Sequence, residues 1–228
     1  MDALVNELMK ELNCDTVFTI PVLGGIPVKE SVVVKWIIMA VIMVLCIALT
    51  RNLSVENTGR GQIILETIVS GGHNFFKDTL GEHGAEYIPY LMTVTLYIGI
   101  ANLIGLLGFK PPTKDMNVTA ALAFMSIVLI EAAGIRQKGA KGWVKSFVEP
   151  IPIILPINIM EIFIKPLSLC MRLFGNVLGS YVIMELLKIV VPIVVPAAFC
   201  LYFDIFDGLL QAYVFVFLTS LYIKEAIE

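Results

Sequence analysis

The stretch KPLSLCMRLFGNVLGSYVIMELL, Lys165–Leu187, decides the fold. It is apolar nearly throughout, yet Arg172 sits near its middle. About 20 apolar residues, rising ~1.5 Å each, cross the hydrocarbon core of a bilayer. This run is long enough to do so. A permanent charge at that depth costs roughly 2.5–3.5 kcal/mol on insertion scales and more in simulations. Such a residue requires a reason beyond packing.

The rest of the chain has the same character. Of its 228 residues, 58% are hydrophobic and only 15% are charged, with a mean hydropathy of +0.88. A soluble domain is nearer a quarter charged. The reading is an all-α polytopic membrane protein with about five membrane helices and one interfacial amphipathic helix. The net charge of −3 comes with no basic block, so nothing points to a nucleic-acid partner. Cys14, Cys46, Cys170 and Cys200 are scattered, and no pair has metal or redox spacing. The opening MDALVNELMKELNCD is mixed in charge and is not a basic segment followed by an apolar one. It is not the pattern of a cleavable signal peptide.

Working outward, residues 1–31 are expected as an external N-terminal segment and 32–228 as a single membrane domain. The spans are expected near 32–50, 87–109, 118–135, 157–190 and 197–226. Residues 51–86 read as a cytoplasmic interfacial segment, amphipathic in its middle and broken at Gly71 and Gly72. Pro111 and Pro112 mark a turn, after which Asn117 and Thr119 are candidate caps. Residues 136–146 carry Arg136, Lys138, Lys141 and Lys145 without an acid. This basic loop belongs in the cytoplasm by the positive-inside rule. Five crossings then put the N-terminus outside and the C-terminus in the cytoplasm. The last two helices are too long to stand upright, so both are expected to tilt strongly, with Pro166 as a possible kink in the first of them.

Ionisable and polar residues concentrate in these two helices. Glu161, Lys165, Ser168, Arg172 and Asn176 step by three or four and form one helical stripe. Asp204, Asp207 and Gln211 form a second stripe by the same rule. Glu161 and Lys165 either pair at i, i+4 or simply meet headgroups at a helix end. Glu185 and Lys188 are open to snorkelling at the opposite end. Arg172 has no such escape, because some fifteen largely apolar residues separate it from Lys188.

At this point the residues resemble a family. PLSLCMRLFGNVLGS is similar to the signature of the subunit a family of the F-type ATP synthase membrane sector. GLLGFKPPTKDMNVTAALA, GIRQKGAKGWVKSF and LLQAYVFVFLTSLYI resemble further blocks of it, in order, from about Glu86 to Ile223. The resemblance implies that Arg172 is the essential stator arginine. Asn176 is then the polar residue one turn on, and Gln211 the last-helix glutamine near the arginine. Asp204 falls where members often carry an acid or histidine on the ion uptake path, and Glu161 where others place an acid at a channel mouth. Many members carry Glu nine residues after the arginine. Here that position is Tyr181, the nearest acid is Glu185, and more of the uptake role shifts to Asp204.

The resemblance also implies a mechanism and partners. A rotating c-ring presents one carboxylate per subunit at mid-membrane, and two offset half-channels load and unload it. Arginine suits the stator because it does not give up its proton. An approaching carboxylate is driven to its ionised form by ~1–3 pKa units. Partners would be the c-ring, peripheral-stalk subunit b, the lipid bilayer and, indirectly, the soluble ATPase sector. The expected location is a bacterial plasma membrane. No cofactor is expected; the cargo is H⁺ or Na⁺. The chain is not expected to be an enzyme by itself, since no phosphate-binding glycine loop, HExxH motif or nucleophile–base pair is visible. The competing reading is a stand-alone secondary transporter with Arg172 as counter-ion to an anionic substrate. Such folds usually show internal repeats, and none is visible between the halves.

Overall fold

The computed structural model describes residues 16–20, 26–51, 60–107, 111–146, 155–190, 199 and 201–227. Two strands, β1 (Thr16–Ile20) and β2 (Ile26–Lys29), pair antiparallel. Six α-helices follow among the described residues: α1 (Glu30–Thr50), α2 (Arg60–Leu80), α3 (Ile88–Leu103), α4 (Met116–Ser146), α5 (Leu155–Val190) and α6 (Gly208–Ile227). A π-helical segment, Leu201–Asp207, leads directly into α6. Among the described residues, five stretches are long and apolar enough to cross a membrane: Glu30–Thr50, Gly84–Leu106, Met116–Trp143, Leu155–Met184 and Leu201–Ile227. The chain is an all-α polytopic membrane protein, to which the structure adds the short hairpin.

Several threonine hydroxyls in the helices are satisfied locally. Thr67, Thr93, Thr95 and Thr219 each donate to the carbonyl four residues back, at 2.7 to 2.8 Å. That geometry lets a polar side chain sit on an apolar helix where no water is at hand.

Two compact units share the chain. One draws on residues up to Val41, on Tyr97–Thr119 and on Met171–Ala212. Its organising feature is the connection between α3 and α4, where three successive side chains reach three different elements. Thr113 donates to Asn102 on α3 (3.0 Å), Lys114 lies 4.4 Å over the Tyr181 ring of α5, and Asp115 accepts from Ser31 on α1 (2.7 Å). Asp115 also accepts from the backbone N–H of Asn117 at 3.0 Å, so it caps α4. The cap is therefore Asp115, not Asn117 or Thr119. Those two residues already lie inside the helix. Burial pushes the Asp115 carboxyl up, but hydrogen bonds from Ser31 and Asn117 and the charge of Lys29 outweigh it and leave it below the usual carboxylate value.

The other unit draws on Ile42–Leu96, Ala120–Cys170 and Tyr213–Glu228. Within it α2 runs unbroken through Gly71 and Gly72, contrary to the break expected there. A Cβ on Gly72 would come 3.3 Å from the Met92 methyl, so this glycine permits a close approach of α3. Phe75 on α2 packs against Tyr213 and Phe217 of α6, whose own rings stack at 5.7 Å. Gly134 on α4 lets the Ala226 backbone of α6 approach, since a Cβ there would lie 3.3 Å from its carbonyl oxygen. In lipid such close packing replaces the hydrophobic effect as the source of helix association.

The basic residues 136–146, expected as a loop, continue α4 to Ser146. Gly139 interrupts that helix at φ 73° and ψ 157°, a conformation that favours glycine. The span thus ends in a kink and a further helical stretch, because nothing in RQKGAKGWVK except glycine opposes helix. Arg136 pairs with Glu86 at 2.9 Å, both exposed.

Candidate functional site

Arg172 lies in the middle of α5 and is half-buried. It makes no hydrogen bond or ion pair with any described residue. Its neighbours Leu167 and Met171 are exposed, and a Cβ on Gly175 would meet nothing within 4 Å. One side of the helix around the arginine is therefore open and apolar. One turn on, Asn176 donates its side-chain amide to the Gln211 carbonyl oxygen of α6 at 2.7 Å. Gln211 is only 1% exposed, and its amide nitrogen finds no partner among the described residues. An unpaired buried donor is uncommon and costs about 1–3 kcal/mol.

The second stripe is altered by the π segment. Asp207 and Gln211 keep helical spacing, but residues Leu201–Asp207 follow wider turns, so the α-helical rule does not carry Asp204 onto their face. Asp207 is half-buried and makes no hydrogen bond or ion pair with a described residue. The side chains of Asp204 and Glu185 lie outside the described residues. Tyr181 takes the Lys114 ammonium over its ring, and Lys114 is 5% exposed. A cation thus occupies the surroundings of the position where an acid is common in the family that the sequence resembles.

Glu161 belongs to a different cluster. It pairs with Lys165 at 3.2 Å, as its i, i+4 spacing suggests, and Lys165 also pairs with Glu225 of α6 at 3.0 Å. Glu131 accepts from the Trp143 indole at 2.9 Å. These groups and Lys138 line a cavity of about 250 Å³. Sequence reasoning did not single out Glu225, Trp143 or Thr113 for a site. The one signal available was that each is polar at or near the end of an apolar run.

A family model described as ATP synthase A chain matches residues 32–224. The chain belongs to the ATP synthase A chain family. Among relatives of the same kind, the ATP synthase subunit a of Moorella thermoacetica is 36% identical over 207 residues, covering 90% of this chain and 94% of the relative. That of Legionella pneumophila is 31% identical over 207 residues, covering 90% of each. A protein of Propionigenium modestum described as ATP synthase subunit a, sodium ion specific, is 33% identical over 219 residues, covering 89% of this chain and 75% of the relative. Membership in the ATP synthase A chain family makes this a multi-pass, ion-transport subunit of an ATP synthase. It is a membrane-sector component and not the catalytic one, although the complex is an enzyme.

Proposed function

We propose that this chain is the ion-translocating stator subunit of an F-type ATP synthase membrane sector. Arg172 faces the carboxylates of a rotating c-ring and keeps each one ionised as it passes. Asn176 and Gln211 flank the arginine. Asp204, Asp207 and Glu185 serve ion uptake, with Tyr181 beside that path, and Glu161 serves the opposite mouth. Peripheral-stalk subunit b holds the chain against the ring, and the soluble ATPase sector is coupled indirectly. The basic stretch ending α4 supports a cytoplasmic position for that end, in a bacterial plasma membrane with the N-terminus outside.

One observation carries this reading. A half-buried arginine at mid-helix has no counter-ion among the described residues and lies beside an open apolar side of its helix. A charge at that depth is normally paired or faces water or a partner. A carboxylate arriving from outside the chain supplies the pair transiently, and an arginine remains charged after it leaves. Each charge moved through ~100 mV is worth ~2.3 kcal/mol, which is the work the ring collects.

The test is Arg172→Ala in membranes holding the whole complex. Ion-driven ATP synthesis should vanish while the amount of assembled complex stays unchanged. Running the assay with a proton gradient and with a sodium gradient identifies the cargo. Near-normal synthesis in the variant under the gradient that drives the wild type overturns the reading.

A further inference from the structure

A chain of hydrogen bonds leads from the α3–α4 connection to the first turn of α6. Thr113, fully buried, donates its hydroxyl to the Asn102 side-chain oxygen at 3.0 Å. Asn102, 4% exposed, donates its amide to the Gly208 carbonyl at 3.0 Å. Because a carbonyl only accepts, the orientation of the Asn102 amide is fixed. Both ends of that amide are satisfied. Gly208 is the residue at which the π segment gives way to α6. A Cβ on Gly208 would stand 3.0 Å from that of Asn102, so the close approach depends on glycine.

The junction held in this way lies between two residues of the candidate site. Asp207 precedes Gly208 directly, and Gln211 follows three residues later. A π segment is rare within helices and is found frequently at functional sites. Every residue by which its end shifts turns the following helix by about 100°. The rotation of α6 at Gly208 thus decides whether Gln211 meets Asn176. We propose that Asn102 and Thr113 are positioning residues for ion transfer, locking the π-to-α junction so that Asp207 and Gln211 hold their orientation beside Arg172. This rests on the stator reading above. Neither residue binds the ion; both act through Gly208.

Three variants in the intact complex, assayed in native membranes, test it: Asn102→Ala, Thr113→Val and Thr113→Ser. Valine keeps the shape of threonine but has no hydroxyl, whereas serine keeps the hydroxyl. Asn102→Ala and Thr113→Val should lower the maximal rate of ion-driven ATP synthesis about tenfold or more, the scale of a small misplacement. The half-saturating ion concentration should stay within about twofold of wild type, because positioning alters transfer and not ion binding. Thr113→Ser should retain most of the rate. A merely structural role would not separate valine from serine at equal amounts of assembled complex. Wild-type rates in Asn102→Ala and Thr113→Val, or equal losses in Thr113→Val and Thr113→Ser, overturn the proposal. If Asn102→Ala fails to assemble, the Thr113 pair decides by the same criterion. Should Arg172→Ala also synthesise ATP normally, the stator reading itself falls. Should Arg172→Ala be inactive while Asn102→Ala and Thr113→Val are normal, the positioning role alone falls.

Discussion

Asn176 and Gln211 are joined by a hydrogen bond of 2.7 Å between α5 and α6, one turn from Arg172. The bond fixes one end of a buried amide and leaves the other end unpaired among the described residues. Its removal has two separable consequences. Asn176→Ala leaves both ends of Gln211 without a partner and should destabilise the site by about 1–3 kcal/mol. Gln211→Met removes the buried polar group itself and should cost less stability, yet it should impair ion transfer as much. Heat inactivation of the complex reads the first effect and ion-driven synthesis reads the second. Equal thermal behaviour of the two variants would contradict this account.

Ion uptake should depend more on Asp204 than on Glu185. With Tyr181 offering no carboxylate, and Lys114 over its ring, the proposed uptake path should rely more on the acid that precedes α6. Asp204→Asn should slow ion flux more than Glu185→Gln in vesicles holding the complex. The reverse order would show that the path runs along α5 instead.

Lys165 ties α5 to α6 through Glu225 and also pairs with Glu161 within α5. Both carboxylates are about half exposed, so the coupling should be modest, at most about 1 kcal/mol. Lys165→Glu should destabilise the complex by like-charge repulsion, and the double exchange Lys165→Glu with Glu225→Lys should recover part of the loss. A thermal shift for each variant measures this. No recovery in the double exchange would mean that Lys165 acts through packing alone.

Asp115 predicts a response to acid. Its carboxyl lies below the ordinary value of 3.8 in the folded chain. A depressed carboxyl contributes stability that is fully present above the unfolded value and is lost as pH falls through the folded one. The loss attributable to Asp115 should therefore appear only below about pH 4. Asp115→Asn should weaken the fold at neutral pH, where the ionised acceptor is missing, and should flatten the acid-side fall. A melting series against pH on the purified complex checks both. An unchanged acid limb would remove Asp115 from the account.

Much of the fold was legible because lipid imposes a simple rule on the backbone. An apolar run must satisfy its own N–H and C=O groups, so it becomes a helix. The runs around Trp36, Tyr97, Phe124, Arg172 and Phe215 could hardly be anything else. Helix ends were less legible. Gly71 and Gly72 read as a break but serve close packing against Met92, and RQKGAKGWVK read as a loop but is helical on both sides of Gly139. In each case the same residue serves two purposes, and only the neighbouring element decides which.

By itself the sequence determined that this chain crosses a membrane repeatedly and carries one unavoidable charge at depth, because composition and helical rise leave no alternative. It also determined the polar stripe from Glu161 to Asn176, since spacing along one helix is a local property. Only the tertiary structure decided which polar groups meet. It joined Asn176 to Gln211, routed Thr113 through Asn102 to Gly208, set Lys114 over Tyr181, and gave Lys165 a second acid in Glu225. It also inserted a π segment that takes Asp204 out of simple helical register. Those pairings join residues far apart in the chain, and no periodicity within a single helix encodes the rotation of one helix against another.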